Sequence, residues 1–123
     1  PPKTLFPYTT LFRSNVMFGG KLWYHPKLPV NRTRGVDHQV WLVKEQRNIW
    51  VNNYHSDCIY EEGLASCFEP LAIDRENHVV EAYGSDEMKI LALQWHPERR
   101  FETANAYEET RKIILDFIQK YVK

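Results

Sequence analysis

The sequence predicts an α/β domain in which only part of the layered architecture is present. Three observations lead there. From Gly35 onward, five short apolar runs alternate with polar turns, as β-strands do. The C-terminal stretch switches to helical spacing. The most apolar strands lack the strict alternation of a half-exposed sheet, so helices should cover both faces, and the chain offers too few of them.

Taken in order, the predicted strands are Val36 to Lys44, Ile49 to His55, Glu69 to Asp74, Val79 to Tyr83 and Ile90 to Trp95. The polar stretches Glu45 to Asn48, Asp74 to Asn77 and Gly84 to Glu87 read as the turns between them. Pro97 argues against helix at His96, because the ring disfavours α backbone in the residue before it. Beyond it, Tyr107, Ile114, Phe117, Ile118 and Tyr121 recur at helical spacing, which predicts one amphipathic helix over Thr103 to Tyr121. A short piece around Asn15 to Phe18 could supply a second. Lys21 to Arg34, with its prolines and basic residues, reads as an irregular loop.

At 123 residues, of which 43% are hydrophobic, the chain allows one modest domain. Sixteen basic and sixteen acidic side chains cancel, which removes the charge footprint of a nucleic-acid or anionic-membrane binder. No apolar run is long enough to span a bilayer and no signal-like segment opens the chain, which predicts a soluble, cytoplasmic protein. Cys58 and Cys67 then read as reduced thiols, and their spacing does not suggest a zinc site.

The chemistry concentrates in "LQWHPERR", Leu93 to Arg100. A strand ending at Trp95 delivers His96 to the carboxyl edge of a sheet, where open α/β folds place their sites. The proline at 97 stiffens the link between His96 and Glu98, so the carboxylate could accept the imidazole Nδ1 proton and leave Nε2 to act as a base. That is the base and orienter of a nucleophilic triad. The alternative is that His96 ends a strand and Glu98 opens a solvated turn. Zinc ligation by His96 and Glu98 lacks a third ligand at a supporting spacing, so neither a metal nor a cofactor is expected.

Four blocks in order carry a family resemblance: "NVMFGGKL" from Asn15, "VNNYHS" from Val51, "VVEAY" from Val79 and "ILALQWHPE" from Ile90. Together they resemble the class I (triad-type) glutamine amidotransferases, in their γ-glutamyl hydrolase or peptidase C26-like branch. Ala92 stands where the family most often has glycine, and Asn53 where the branch has serine. The resemblance implies an incomplete flavodoxin-like three-layer α/β domain, the C-terminal half of such an amidotransferase domain. It also implies Cys-His-Glu catalysis on a γ-glutamyl amide, with His96 as base and Glu98 as its partner. Asn52, Asn53, Tyr54 and His55 match the segment near the glutamyl pocket and are the candidate substrate-binding residues, with a strand end bonding its own backbone as the alternative. His38 matches a position where the branch often carries histidine, and a loop histidine is the alternative there. His25 and His78 read as surface residues.

The family's cysteine lies in a G-x-C-x-G elbow, whose glycines permit a sharp strand-to-helix turn. Neither Cys58 nor Cys67 has such flanks, and counting back from Asn15 by the family's spacing lands on Tyr8. A phenol is a poor nucleophile near neutral pH. "TLFPYTTLFRS", Thr4 to Ser14, reads as the in-frame translation of a sequencing-library adapter, so residues 1–14 are expected to be an artefactual segment standing where a native N-terminal half is missing. The partial amidotransferase-like domain is then 15–123, a truncation that would expose apolar sheet surface.

Three functions follow from these readings. One is a γ-glutamyl hydrolase acting on a small-molecule γ-glutamyl substrate. Another is a glutaminase component delivering ammonia to a synthase partner. The third is a binding pseudo-enzyme without the covalent step.

Overall fold

A computed structural model describes residues 8–27 and 34–121. The element order is α1 (Tyr8–Met17), β1 (His38–Leu42), β2 (Arg47–Val51), a single 3-10 turn (Glu61–Gly63), β3 (Glu69–Asp74), β4 (Val79–Ser85), β5 (Ile90–Leu93) and α2 (Ala106–Tyr121). The five strands form one sheet in the order β2-β1-β3-β4-β5, and every pairing in it is antiparallel. This is a mixed α/β fold, as the strand and helix periodicities predict. Part of the predicted loop, residues 28–33, and the first seven residues of the predicted artefactual segment lie outside the described residues.

The two faces of the sheet build two cores. On one face Val40, Leu42, Ile49, Val51, Ala72, Ala82, Leu91, Leu93 and Trp95 are buried, covered by Ile113, Ile114 and Phe117 of α2. On the other, Val80, Tyr83 and Ala92 pack with Ile59, Ala65, Phe68 and with Phe12 of α1. β4 is buried along nearly its whole length, which accounts for the continuous rather than alternating apolar run VVEAY.

Two helix predictions are corrected. α1 begins at Tyr8, well before Asn15, and runs across the Ser14/Asn15 boundary. α2 begins at Ala106 rather than Thr103, after a turn in which Asn105 adopts a positive φ of 68° and the Ala106 amide bonds back to the Thr103 carbonyl. Tyr107 and Ile118 are exposed, although the sequence places them on the apolar stripe. The stripe that faces the sheet runs instead through Ala106, Thr110, Ile113, Ile114 and Phe117, and each exposed residue is turned away from its buried neighbour by the helix's rotation of about 100° per residue.

Asn15, fully buried at the end of α1, knits this helix to the rest. Its Nδ2 donates to the carbonyls of Gly63 (2.9 Å) and Lys21 (3.1 Å), and its Oδ1 accepts from the Ala65 amide (2.8 Å). Gly20 must be glycine for the same reason, since a Cβ there would overlap the Asn15 amide.

Candidate active site

β5 ends at Leu93, but the chain stays ordered beyond it because Gln94 donates its amide to the Glu81 carbonyl at 2.7 Å. Trp95 is buried and anchors the exit, its indole Nε1 donating to the Thr110 hydroxyl of α2 at 3.0 Å. His96 to Arg99 then form a β-turn closed by the Arg99 amide on the His96 carbonyl at 3.0 Å. Pro97 occupies the second position of that turn, where its fixed φ is already correct.

The turn brings His96 Nδ1 to 2.7 Å from Glu98 Oε2. An ionised carboxylate only accepts, so Nδ1 carries the proton and Nε2 is the basic nitrogen. The His96 side chain is 13% exposed and that of Glu98 67% exposed. Burial acts first on the Glu98 carboxyl, pushing it upward. The hydrogen bond to His96, the Glu98 backbone amide and the charges of His96 and Arg99 outweigh it, and the group lies below its ordinary 4.5. Glu98 is therefore ionised at neutral pH.

Asn52 fixes the backbone of this turn. Fully buried just after β2, it accepts the His96 amide on Oδ1 at 2.9 Å and donates Nδ2 to the His96 carbonyl at 2.8 Å, with longer contacts to the carbonyls of Arg100 (3.3 Å) and Arg99 (3.5 Å). Asp37 holds the chain after the turn, accepting the amides of Glu102 and Thr103 at 2.9 and 2.8 Å.

The four residues predicted to line a substrate pocket separate into different places. Asn52 is engaged with the turn backbone. Asn53 is buried, and its carbonyl accepts the Gly35 amide. Tyr54 stands beside the candidate base, its ring edge-to-face with the His96 imidazole at 6.1 Å, with the Arg99 guanidinium over its face at 4.8 Å. The His55 imidazole turns inward, 1% exposed, with Nδ1 at 2.8 Å from the Asp57 carbonyl and Nε2 at 3.4 Å from Glu81 Oε1.

Glu81, wholly buried on β4, is the residue that sequence reasoning passed over. The signal was available, since a carboxylate inside the apolar run VVEAY is costly to bury without partners. His38, which opens β1 rather than lying in a loop, brings its Nε2 to 3.8 Å from the same carboxylate oxygen. His25 and His78 are on the surface.

Cys58 is buried and bonds both backbone groups to Trp23, while Cys67 is exposed; neither is in a disulfide among the described residues. Tyr8 is the first residue of α1. Among the described residues no group of three or more His, Cys, Asp and Glu side chains could hold a metal ion, and no helix is long and apolar enough to cross a membrane. A cavity of about 460 Å³ adjoins the turn, lined among others by Pro97, Glu98, Arg99 and Phe101. A similar one of about 480 Å³, between Trp41, Trp50 and Asp74, includes no residue of the turn.

Comparison with known proteins agrees with this fold. Among solved structures, the fold resembles a protein described as a GMP synthase subunit from Thermoplasma acidophilum, with a TM-score of 0.61 and 18% identity over 87% of this chain and 53% of that one. It also resembles a glutamine amidotransferase from Thermotoga maritima, with a TM-score of 0.52 and 16% identity over 89% of this chain and 45% of that one. The chain thus spans about half the length of the solved structures it matches. No curated protein sequence matches it significantly. A model of the peptidase C26 family matches residues 24–98, which takes in β1 to β5 and the His96–Glu98 turn, and the chain belongs to that family.

Proposed function

We propose that this chain carries the base and orienter of a γ-glutamyl amide hydrolase. The observation that supports it most directly is the 2.7 Å contact between His96 Nδ1 and Glu98 Oε2 in a backbone turn held by Asn52. In the reaction this reading entails, His96 Nε2 takes the proton of a cysteine thiol, and the thiolate attacks the γ-carbonyl. The amine leaves with that proton from the imidazolium. Water, deprotonated by His96, then cleaves the thioester to release glutamate. Glu98 selects the tautomer and stabilises the imidazolium. Tyr54, beside His96, is the candidate for contact with the substrate. Asn52, Asn53 and His55, assigned to that role from the motif, are buried and support the turn and its neighbouring segment instead.

The cysteine belongs upstream of Asn15, seven positions before it, where Tyr8 stands. On this reading the chain by itself does not turn over. The test is a γ-glutamyl-p-nitroanilide assay on two proteins. One is this chain, and the other is the chain from Asn15 joined to an upstream half-domain with a G-x-C-x-G elbow at that spacing. Hydrolysis by the second only, lost in H96N and E98Q, is expected; a folded fusion whose activity is indifferent to H96N would refute it.

The names of the two matched structures favour a second reading, a glutaminase component that passes ammonia to a synthase. Substrate preference separates the two. A hydrolase cleaves γ-glutamyl amines of many kinds unaided, whereas a glutaminase component prefers glutamine and speeds up when its synthase is added.

A further inference from the structure

Glu81, His55 and His38 form a buried polar cluster on the side of the sheet edge that also carries Asn52 and Tyr54. We infer that Glu81 is a positioning residue: through His55 it sets the Asn52–Tyr54 segment, and through Asn52 it fixes His96. The inference rests on the reading of His96 as the base.

The path is short and each link is a named contact. The Asp57 carbonyl only accepts, so the 2.8 Å contact assigns a proton to His55 Nδ1. His55 Nε2 then points at Glu81 Oε1, 3.4 Å away, within ion-pair reach though poorly aligned for a hydrogen bond. A bare lone pair facing a carboxylate at a site of 1% and 0% exposure would be costly, so one proton resides between the two groups, on Nε2 or on the carboxyl. Either form ties residue 55 to the centre of the sheet, because Glu81 sits on β4 between β3 and β5. Tyr54 and Asn52 lie one and three residues before that tie. Each of them contacts residue 96, Tyr54 at the imidazole and Asn52 at the backbone. The Glu81 carbonyl meanwhile accepts the amide of Gln94, two residues before His96. One residue therefore holds the base from two directions, by side chain through His55 and by backbone through β5. His38, on β1, contributes the second imidazole facing the same oxygen.

The His96 amide, donated to Asn52 Oδ1, gives a direct readout. Its hydrogen exchange is measured in this chain by NMR, relative to a core amide such as Val80, which donates to the Ile59 carbonyl. E81L is expected to speed His96 exchange about tenfold or more relative to Val80, whereas E81Q, which still meets His55 Nε2 with a neutral polar group, stays within about threefold of the parent. H55L should reproduce E81L, and E81L/H55L should be no faster than either alone, because the two act through one contact. If E81L does not fold, E81D, which withdraws the carboxylate from His55, is read in the same way.

Equal acceleration of His96 and Val80 would mean general destabilisation and overturn the inference, as would additive effects in the double variant. In the parent, a long-range ¹H–¹⁵N spectrum showing His55 Nδ1 without a proton would overturn it with no variant at all. None of these measurements depends on His96 being a base, so the inference and the catalytic reading can fail separately.

Discussion

Replacing Asn52 with alanine should cost this chain a large share of its stability. Two short bonds vanish together: His96 N–H to Oδ1 at 2.9 Å and Nδ2 to the His96 carbonyl at 2.8 Å. The losses differ in kind. The His96 carbonyl still accepts the Arg99 amide at 3.0 Å, so its loss falls at the low end of the range for a buried polar group, about 1 kcal/mol. The His96 amide loses the Oδ1 acceptor that it meets at 2.9 Å, at about 1–3 kcal/mol. Together they give about 2–4 kcal/mol, against a total of about 5–15 kcal/mol for a typical domain. Urea denaturation followed by Trp fluorescence measures it, with the midpoint falling at constant slope. N52D is no rescue, since it faces a carboxylate towards the His96 carbonyl. A loss below about 1 kcal/mol for N52A would refute the claim that this amide holds the turn.

G20A forces the new methyl into the Asn15 amide and loosens its bonds to Gly63 and Ala65, so it should destabilise by about 1–3 kcal/mol in the same urea assay, with G20A/N15A losing little more than N15A. Gln94 is 1% exposed, and neither its Oε1 nor its Nε2 has a hydrogen-bond partner among the described residues. Q94M should therefore be neutral or stabilise the chain by about 1–2 kcal/mol, and a loss of similar size would show that the amide has a partner. Glu98 lies below its ordinary carboxyl value in the folded chain, so its contribution is present above the unfolded value of 4.5 and is lost as pH falls through the lower, folded one. The stability difference between the parent and E98Q should accordingly shrink on acidification from pH ~5, and a difference that grows there would contradict that sign.

Much of the fold is legible in the sequence because it depends on local periodicity. Each of the five predicted strands overlaps an observed one, and the excess lies at the ends, where Val43 and Lys44 enter a turn and Asn52 to His55 leave the sheet, Asn52 and Tyr54 to meet His96 and His55 to meet Glu81. Pro97 is informative because proline acts on its own backbone and that of its neighbour, without help from distant residues. What the sequence hides is non-local. The inward turn of His55 depends on a carboxylate 26 positions away on β4, and that of Asn52 on a turn 44 positions away. Their polar character suggests contact with a ligand, but buried backbone groups need the same chemistry. α1 escapes the sequence pattern for another reason. Tyr, Thr and Phe are enriched in strands, and the helix is fixed instead by Phe12 and Asn15 packing beneath the sheet.

Cys67 is exposed, and the Tyr83 phenol is raised above its ordinary value, first by burial and then by the Cys67 charge, against opposing bonds from Asn15 and Ser14. Cys58 is held in the Trp23 bridge.

The proposed base catalysis turns on the orientation and tautomer of one imidazole, and a long-range ¹H–¹⁵N spectrum of the uniformly labelled chain near pH ~8 reads both. The prediction is a neutral His96 with its proton on Nδ1, slow to exchange because Glu98 accepts it, and a loss of that protection in E98Q. A neutral His96 protonated on Nε2, indifferent to E98Q, would contradict the assignment of His96 and Glu98 as base and orienter.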